Sequence, residues 1–359
     1  MARPQNKNGV TYPAVAYISG GQLYLQHEDG ERIVESPFGR SLRDRAGEIY
    51  RRNAWKVQGR GGQSLARALR MPAESDPSAF RVAITSVARG SAPGELMYTL
   101  ETDEISGVFV READGTEKRL FHTADFRASH LDRRPGGCEL ALSIQHGRGL
   151  ADLAVMKGDG SGLTEVTEGE SLDEAPRWVP GERRRLVYQS AGIARDRRGV
   201  PVGNGPYTIQ EIDLESREVA CLAQDPELDF VQPRAGGDGM LYYIRKPRLK
   251  PQLPKAGPGF FRMFAFILML RLMRSGQNPD GVTPPEKQFQ PPSSWQLMRQ
   301  ERTAGAQAEV LARGVASFDL AEDGAILYSN GADVFSMPRD GAGAKKVLSG
   351  VNIDWITTL

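Results

Sequence analysis

Cysteine is nearly absent. The chain of 359 residues has two, Cys138 and Cys221, which excludes a disulfide framework; lying in separate expected strands, they read as buried free thiols. Histidine is almost as scarce, with four. His27, His122, His130 and His146 fall in different expected strands or strand ends, with no H-E-x-x-H and no Cys/His ligand spacing, so they read as structural or surface residues and no metal or cofactor is expected. No G-x-S-x-G elbow occurs, and no accompanying hydrolase domain is expected. The opening residues, MARPQNKNGVTYPAVAYISGG, hold no apolar stretch of signal-peptide length, so the expected location is the cytoplasm. Net charge is also missing. Lys and Arg number 46 against 45 Asp and Glu, which removes any global attraction to nucleic acid.

Glycine and proline are plentiful, 40 and 23, beside 40% apolar residues. That balance suits many short strands joined by tight turns. Residues 153–190 show the pattern most clearly. Leu153 to Met156 is a short apolar strand, Lys157-Gly158-Asp159-Gly160-Ser161 supplies residues that tolerate positive φ, and Leu163 to Thr167 is the returning strand. Leu172 to Pro180 leads inward through an aromatic, Pro180-Gly181 turns the chain, and Leu186 to Gln189 follows as a strand.

This stretch resembles the TolB-like propeller repeat, the WD40-like repeat of bacterial proteins: an apolar strand, D-G-S-G, a Leu-Thr pair, a spacer, P-x-W-S-P-D-G and another strand. Met156, Asp159-Gly160-Ser161-Gly162, Leu163-Thr164, Pro176, Trp178 and Pro180-Gly181 occupy those places, with Val179 for the Ser and Gly181-Glu182 for Asp-Gly. The resemblance implies an all-β propeller and protein binding, without a particular partner.

The remaining strands then fall into six blades. Ala14 to Ser19, Gln22 to His27 and Glu31 to Ser36 make a three-strand start that lacks an innermost strand, and Val351 to Leu359 is a β-rich end without a partner. Pairing the two ends closes the ring and removes an exposed edge. The second blade takes Phe80 to Ala88, Glu95 to Thr102, Gly107 to Glu112 and Glu117 to Phe121. The third takes Arg127 to Asp132, Cys138 to Gln145, Leu150 to Met156 and Leu163 to Thr167. Ala175 to Val179, Arg185 to Ser190, Tyr207 to Asp213 and Glu218 to Ala223 form the fourth. Phe230 to Arg234, Met240 to Arg245, Trp295 to Arg299 and Glu309 to Ala312 form the fifth. Ala316 to Leu320, Ala325 to Ser329, Asp333 to Met337 and Lys345 to Leu348 form the sixth. The chain thus reads as a single propeller over 1–359 with two long insertions, 37–79 between the first two blades and 246–293 in the fifth. Meander topology sends both, with the loop Gly192 to Gly205, to one face.

The first insertion carries Phe38, Leu42, Ala46, Ile49 and Tyr50 at helical spacing and reads as a basic helix. The second is a Pro-rich arm, the segment FFRMFAFILMLRLMR over 260–274, and a second Pro-rich arm. Phe260, Phe261, Phe264, Phe266, Ile267, Leu268, Leu270 and Leu272 leave that segment no polar face, so as a helix it must be surrounded. Fifteen residues rise about 22 Å, short of a hydrocarbon core of about 30 Å. Basic residues accompany it: Arg43, Arg51, Arg52 and Lys56 in the first insertion, and Lys250, Lys255, Arg271 and Arg274 in the second. Basic charge beside apolar surface favours an anionic membrane. Asp125, Asp173, Asp229 and Asn352 recur where blades begin and form a candidate channel mouth, able to take a cation or a basic peptide end or simply to cap turns. The expected function is a non-enzymatic scaffold or accessory subunit, peripheral on the inner face of a membrane and bound to the membrane or a membrane-protein complex, not to nucleic acid. The alternative is a small-molecule enzyme of the lactonase-like propeller type with a channel metal.

Overall fold

Turn chemistry sets the strands. In the computed structural model, which describes residues 15–27, 30–58, 80–146, 149–181, 183–248, 289–341, 343–349 and 352–359, Gly20 and Gly21 have φ of +56° and +81° and carry β1 (Val15–Ser19) directly into β2 (Gln22–His27). β3 (Gly30–Val34) pairs with β2. Ser36 then ends the sheet and starts α1 (Pro37–Gln58): its hydroxyl accepts the Gly39 amide at 3.0 Å, with Pro37 at the first helical position.

The second group is β4 (Ala83–Arg89), β5 (Leu96–Glu101), β6 (Ser106–Arg111) and β7 (Glu117–Thr123). The third is β8 (Phe126–Arg133), β9 (Glu139–His146), β10 (Ala151–Lys157) and the two-residue β11 (Thr164–Glu165). In the fourth, β12 (Ser171–Trp178) and β13 (Arg185–Arg195) are followed by β14 (Pro201–Asn204), which pairs only with the far end of β13, then by β15 (Thr208–Asp213) and β16 (Val219–Ala223). The fifth is β17 (Leu228–Ala235), β18 (Met240–Pro247), β19 (Gln296–Glu301) and β20 (Glu309–Arg313). The sixth is β21 (Ser317–Leu320), β22 (Ile326–Ser329), β23 (Asp333–Met337) and β24 (Lys345–Ser349). The last strand, β25 (Trp355–Thr358), returns to β1, with Ile18 opposite Trp355 and Val15 opposite Thr358. Among the described residues the strands therefore make six antiparallel groups of four, with β14 outside them and one parallel bridge, Ala151 to Leu172, joining the third and fourth.

The two-residue period of a strand decides where the core lies. In β1, Ala16 and Ile18 pack toward β4 and β5, whereas Val15 and Tyr17 pack toward Leu327 and Val334 of the sixth group. In β10, Ala154 and Met156 face the second group while Leu153 and Val155 face Trp178 and Leu186 of the fourth. Six apolar clusters result, one between each neighbouring pair of sheets. Each inner strand touches the next in the order β25, β4, β8, β12, β17, β21 and again β25.

Three details differ from the sequence reading. The returning strand expected over 163–167 shrinks to Thr164–Glu165, because the Asp159 carboxylate holds the Ser161 amide at 2.9 Å and Gly162 extends the turn with φ +67°. The excursion 192–205 is a hairpin: Asp196 accepts the Arg198 and Val200 amides at 2.8 and 3.0 Å, and Gly199 turns at φ +77°. Cys138 is exposed in the β8–β9 turn instead of buried, while Cys221 is half-buried in β16. The apolar segment 260–274 lies outside the described residues, as does the rest of 59–79.

The C-terminal strand contributes Ile356, fully buried between the first and sixth groups. Ile356→Ala is expected to cost about 2–5 kcal/mol, and removing 351–359 should cost more because β1 then becomes an open edge. Urea denaturation of both variants measures this; a wild-type midpoint in the truncated chain would show that β25 does not hold the ring.

Candidate functional site

Three inner strands carry the same irregularity. β8, β12 and β17 bulge between Ser129 and Asp132, Glu174 and Arg177, and Val231 and Arg234. At each bulge a residue other than glycine takes positive φ: His130 at 53°, Ala175 at 53° and Gln232 at 55°. A bulge re-aims the side chains that follow it. Here it sets Asp132, Arg177 and Arg234 against their neighbours' inner strands.

Arg177 and Arg234 are each only 5% exposed. Arg177 Nη1 donates to Asp132 Oδ1 at 2.8 Å, and the second Asp132 oxygen accepts the Trp178 amide at 2.8 Å. Arg234 Nε donates to Asp319 Oδ1 at 2.9 Å, while Asp319 Oδ2 accepts the Thr358 amide at 2.9 Å. Both guanidinium groups contact the Trp355 ring, each 5.4 Å from its centroid, with the His130 ring 5.6 Å away. Two such contacts are worth about 0.5–2 kcal/mol each.

The electrostatics follow from that crowding. Burial, and then the like charge of Arg177, push Arg234 down to about 10 against the opposing pull of Asp319 and Asp132. Burial raises the Asp319 carboxyl, but Arg234, Arg177 and the Thr358 amide together outweigh it and hold it below the usual carboxylate value. Burial lowers the His130 pKa; Glu174 opposes this, and Arg177 and Arg234 reinforce it. The axis therefore holds two fixed cations and a neutral imidazole. Each guanidinium is matched by its own carboxylate, Asp132 or Asp319, whose oxygens are already engaged.

The expected channel mouth is engaged locally. Asp125 accepts from the Thr123 hydroxyl at 3.1 Å, Asp173 from the Ser190 hydroxyl at 2.6 Å, and Asp229 from the Tyr207 amide at 3.0 Å. These contacts match turn and strand-end capping; Asn352 is half-buried just before β25.

The basic helix is held by one end. The Phe38 amide donates to Glu117 Oε1 at 2.9 Å, the Phe38 ring lies tilted against Phe109 at 5.1 Å, and Gly39 sits so close that a β-carbon there would meet Val82 at 2.9 Å. Farther along, Arg43, Arg45, Arg51 and Arg52 are exposed, with Asp44 and Glu48, and Ile49 is 60% exposed. The side chain of Lys56, and all of Lys250, Lys255, Arg271, Arg274, Phe260, Phe261, Phe264, Phe266, Ile267, Leu268, Leu270 and Leu272, lie outside the described residues. The hairpin end meets the start of the second insertion where Arg248 Nη2 donates to the Asn204 carbonyl at 2.6 Å.

Of the histidines, His122 is exposed beside Phe38 at 5.8 Å. His146 ends β9, and the structure brings it together with Asp152 and Glu165, a grouping that spacing along the chain does not reveal.

Acid should weaken this fold, and the axis says where. The unfolded chain protonates its histidine near pH 6.5, whereas the folded His130 resists, so stability falls as pH drops below that value. The Asp319 contribution is present above about pH 4 and lost on further acidification. Urea denaturation between pH 7 and 5 should show a smaller loss in His130→Asn, since Asn tolerates positive φ; equal losses would remove His130 from this role. Asp319→Asn, which leaves Arg234 without its anion, is expected to cost about 3–5 kcal/mol at pH 7.

No protein-family model matches the sequence, and no curated protein matches it. Solved structures do. TolB from Acinetobacter baumannii is similar at 10% identity with a TM-score of 0.55, over 97% of this chain and 68% of that one. The tricorn protease is similar at 12% identity with a TM-score of 0.50, over 96% of this chain and 33% of that one. Identities this low speak to architecture alone, and one of these two neighbours is an enzyme by name. In its fold, this chain is a TolB-like β-propeller.

Proposed function

We propose that this chain is a non-catalytic binding propeller, an accessory subunit that docks by its insertion face onto an anionic membrane surface in a membrane-associated complex. The observation that carries the reading is α1. The helix is fixed through Ser36, Phe38 and Gly39 and then presents Arg43, Arg45, Arg51 and Arg52 with the exposed Ile49 among them. Basic charge with apolar side chains on one helix is the combination by which interfacial segments attach. No helix among the described residues is long and apolar enough to cross a membrane. The sequence of 260–274, between β18 and β19, is rich in apolar and basic residues, and we assign it to the same attachment.

The lactonase-like alternative needs a metal in the channel. The carboxylates beside Trp355, Asp132 and Asp319, are taken up by Arg177, Arg234 and the Trp178 and Thr358 amides, which makes them poor candidates for metal ligands.

Flotation with vesicles tests the reading. The protein is expected to float with vesicles rich in phosphatidylglycerol and not with phosphatidylcholine vesicles, less so as salt rises. Each well-placed Arg adds about 1 kcal/mol of attraction to an anionic surface, so Ala at 43, 45, 51 and 52 together should weaken binding by more than about tenfold. Ser at Phe264, Ile267, Leu268 and Leu270 should release the remainder while the propeller stays folded. Equal flotation of all three proteins, or none with anionic vesicles, would overturn it.

A further inference from the structure

Strand register gathers three ligand-type side chains at the insertion-face end of the third blade. Gln145 pairs with Ala151 and Ile144 with Asp152, which makes His146 and Asp152 diagonal neighbours on one face of the sheet. Ala154 pairs with Glu165, so Glu165 is diagonal to Asp152 on that same face. One ring nitrogen of His146 and one carboxylate oxygen each of Asp152 and Glu165 lie within 4.8 Å of one another. His146 Nε2 and Glu165 Oε2 are 3.5 Å apart. The Phe126 ring stands edge-on at 6.2 Å from the imidazole and limits its rotation.

A second observation points to a ligand. Asp152 is only 7% exposed, and its Oδ1 has no hydrogen-bond donor among the described residues. A buried carboxylate in that condition is costly. Its neighbours compound the cost. Asp173, Glu165 and Glu168 are its neighbours of like charge, with His146 beside them. A surplus of carboxylates around one buried acid leaves room for positive charge.

We propose that His146, Asp152 and Glu165 bind a divalent transition-metal ion of the zinc class, with water completing a four-coordinate shell. The donor set makes the choice. Ca²⁺ and Mg²⁺ take oxygen ligands almost alone, whereas an imidazole with two carboxylates suits zinc. Bonds of about 2.1 Å place neighbouring tetrahedral ligands about 3.4 Å apart. The His146–Glu165 edge, 3.5 Å, is already close to that length, and the other edges, within 4.8 Å, close by up to about 1.4 Å of side-chain movement. The metal acts on structure. β11 is two residues long, and a metal shared by β9, β10 and β11 pins this outer strand where the backbone ladder holds it least.

Isothermal titration of the full chain with zinc chloride tests the site, with thermal melting as a second readout. The wild type is expected to bind one equivalent at micromolar zinc and to melt higher with the metal than without it. Asp152→Asn is near-isosteric, removes the buried charge and should fold; it and His146→Ala should each lose at least tenfold in affinity and the zinc-dependent shift. Cys138→Ala and His122→Ala should keep both. Excess Ca²⁺ or Mg²⁺ should not compete. Absence of stoichiometric binding, or binding that survives Asp152→Asn and His146→Ala while failing in Cys138→Ala or His122→Ala, would overturn the proposal.

Discussion

A continuous belt of polar contacts around the axis is the constraint on which the rest of the ring depends. Six twisted sheets meeting at their inner edges leave little space for apolar side chains, and the clusters that join them lie farther out. Each junction is tied at its inner end. The Thr357 hydroxyl donates to the Val87 carbonyl at 3.2 Å, and the Leu131 amide to Ser86 Oγ at 3.1 Å. Arg177 meets Asp132 at 2.8 Å, and the Gln232 amide donates to Gln189 Oε1 at 2.8 Å. Arg234 meets Asp319 at 2.9 Å, and Asp319 in turn takes the Thr358 amide at 2.9 Å. Every tie links a pair of neighbouring sheets, and together they return to their starting point. Buried ion pairs of this kind add little net stability over an apolar filling, but losing one partner strands a charge, so they make partial opening costly.

The outer frame of this arrangement was legible in the sequence because its signals are local. Gly20-Gly21, Asp114-Gly115 and Asp159-Gly160 announce hairpins by residue type, and the unbroken apolar run Val15 to Ile18 suits a strand with two buried faces. The helical spacing of Phe38, Leu42, Ala46, Ile49 and Tyr50 likewise announces α1. The belt was not legible. Its left-handed residues are His130, Ala175 and Gln232, none of which advertises positive φ, and its partners stand far apart in the chain, as Arg234 and Asp319 do. Only the shared bulge makes them one system.

The same contrast separates the two surface features. The basic character of α1 is written in consecutive residues and survives folding because most of the helix leaves the sheet. What the sequence could not show is how soon it leaves: Phe38 packs on Phe109, while Ile49, on the same helical spacing, is exposed. The grouping of His146, Asp152 and Glu165 has no linear motif at all. It arises from two registers, β9 against β10 and β10 against β11, and a shift of one residue in either would turn a ligand to the opposite face.

The division of labour between inner and outer edges explains where the fold can accept additions. Inner strands are bound on both flanks by the belt and by two apolar clusters, so their sequences have little freedom. Outer strands have one neighbouring strand and more solvent: in β16 and β24 the first two residues are exposed, as are both residues of β11. Loops that leave from second strands, and those that leave from outer strands toward the next sheet, emerge on one face by topology. That face can accept α1 and the β13–β14 hairpin without disturbing any inner contact. The cost is a loosely tied periphery on the side that carries the additions. A side-chain cluster that bridges β9, β10 and β11 sits at that weak point, beyond the reach of the axial belt.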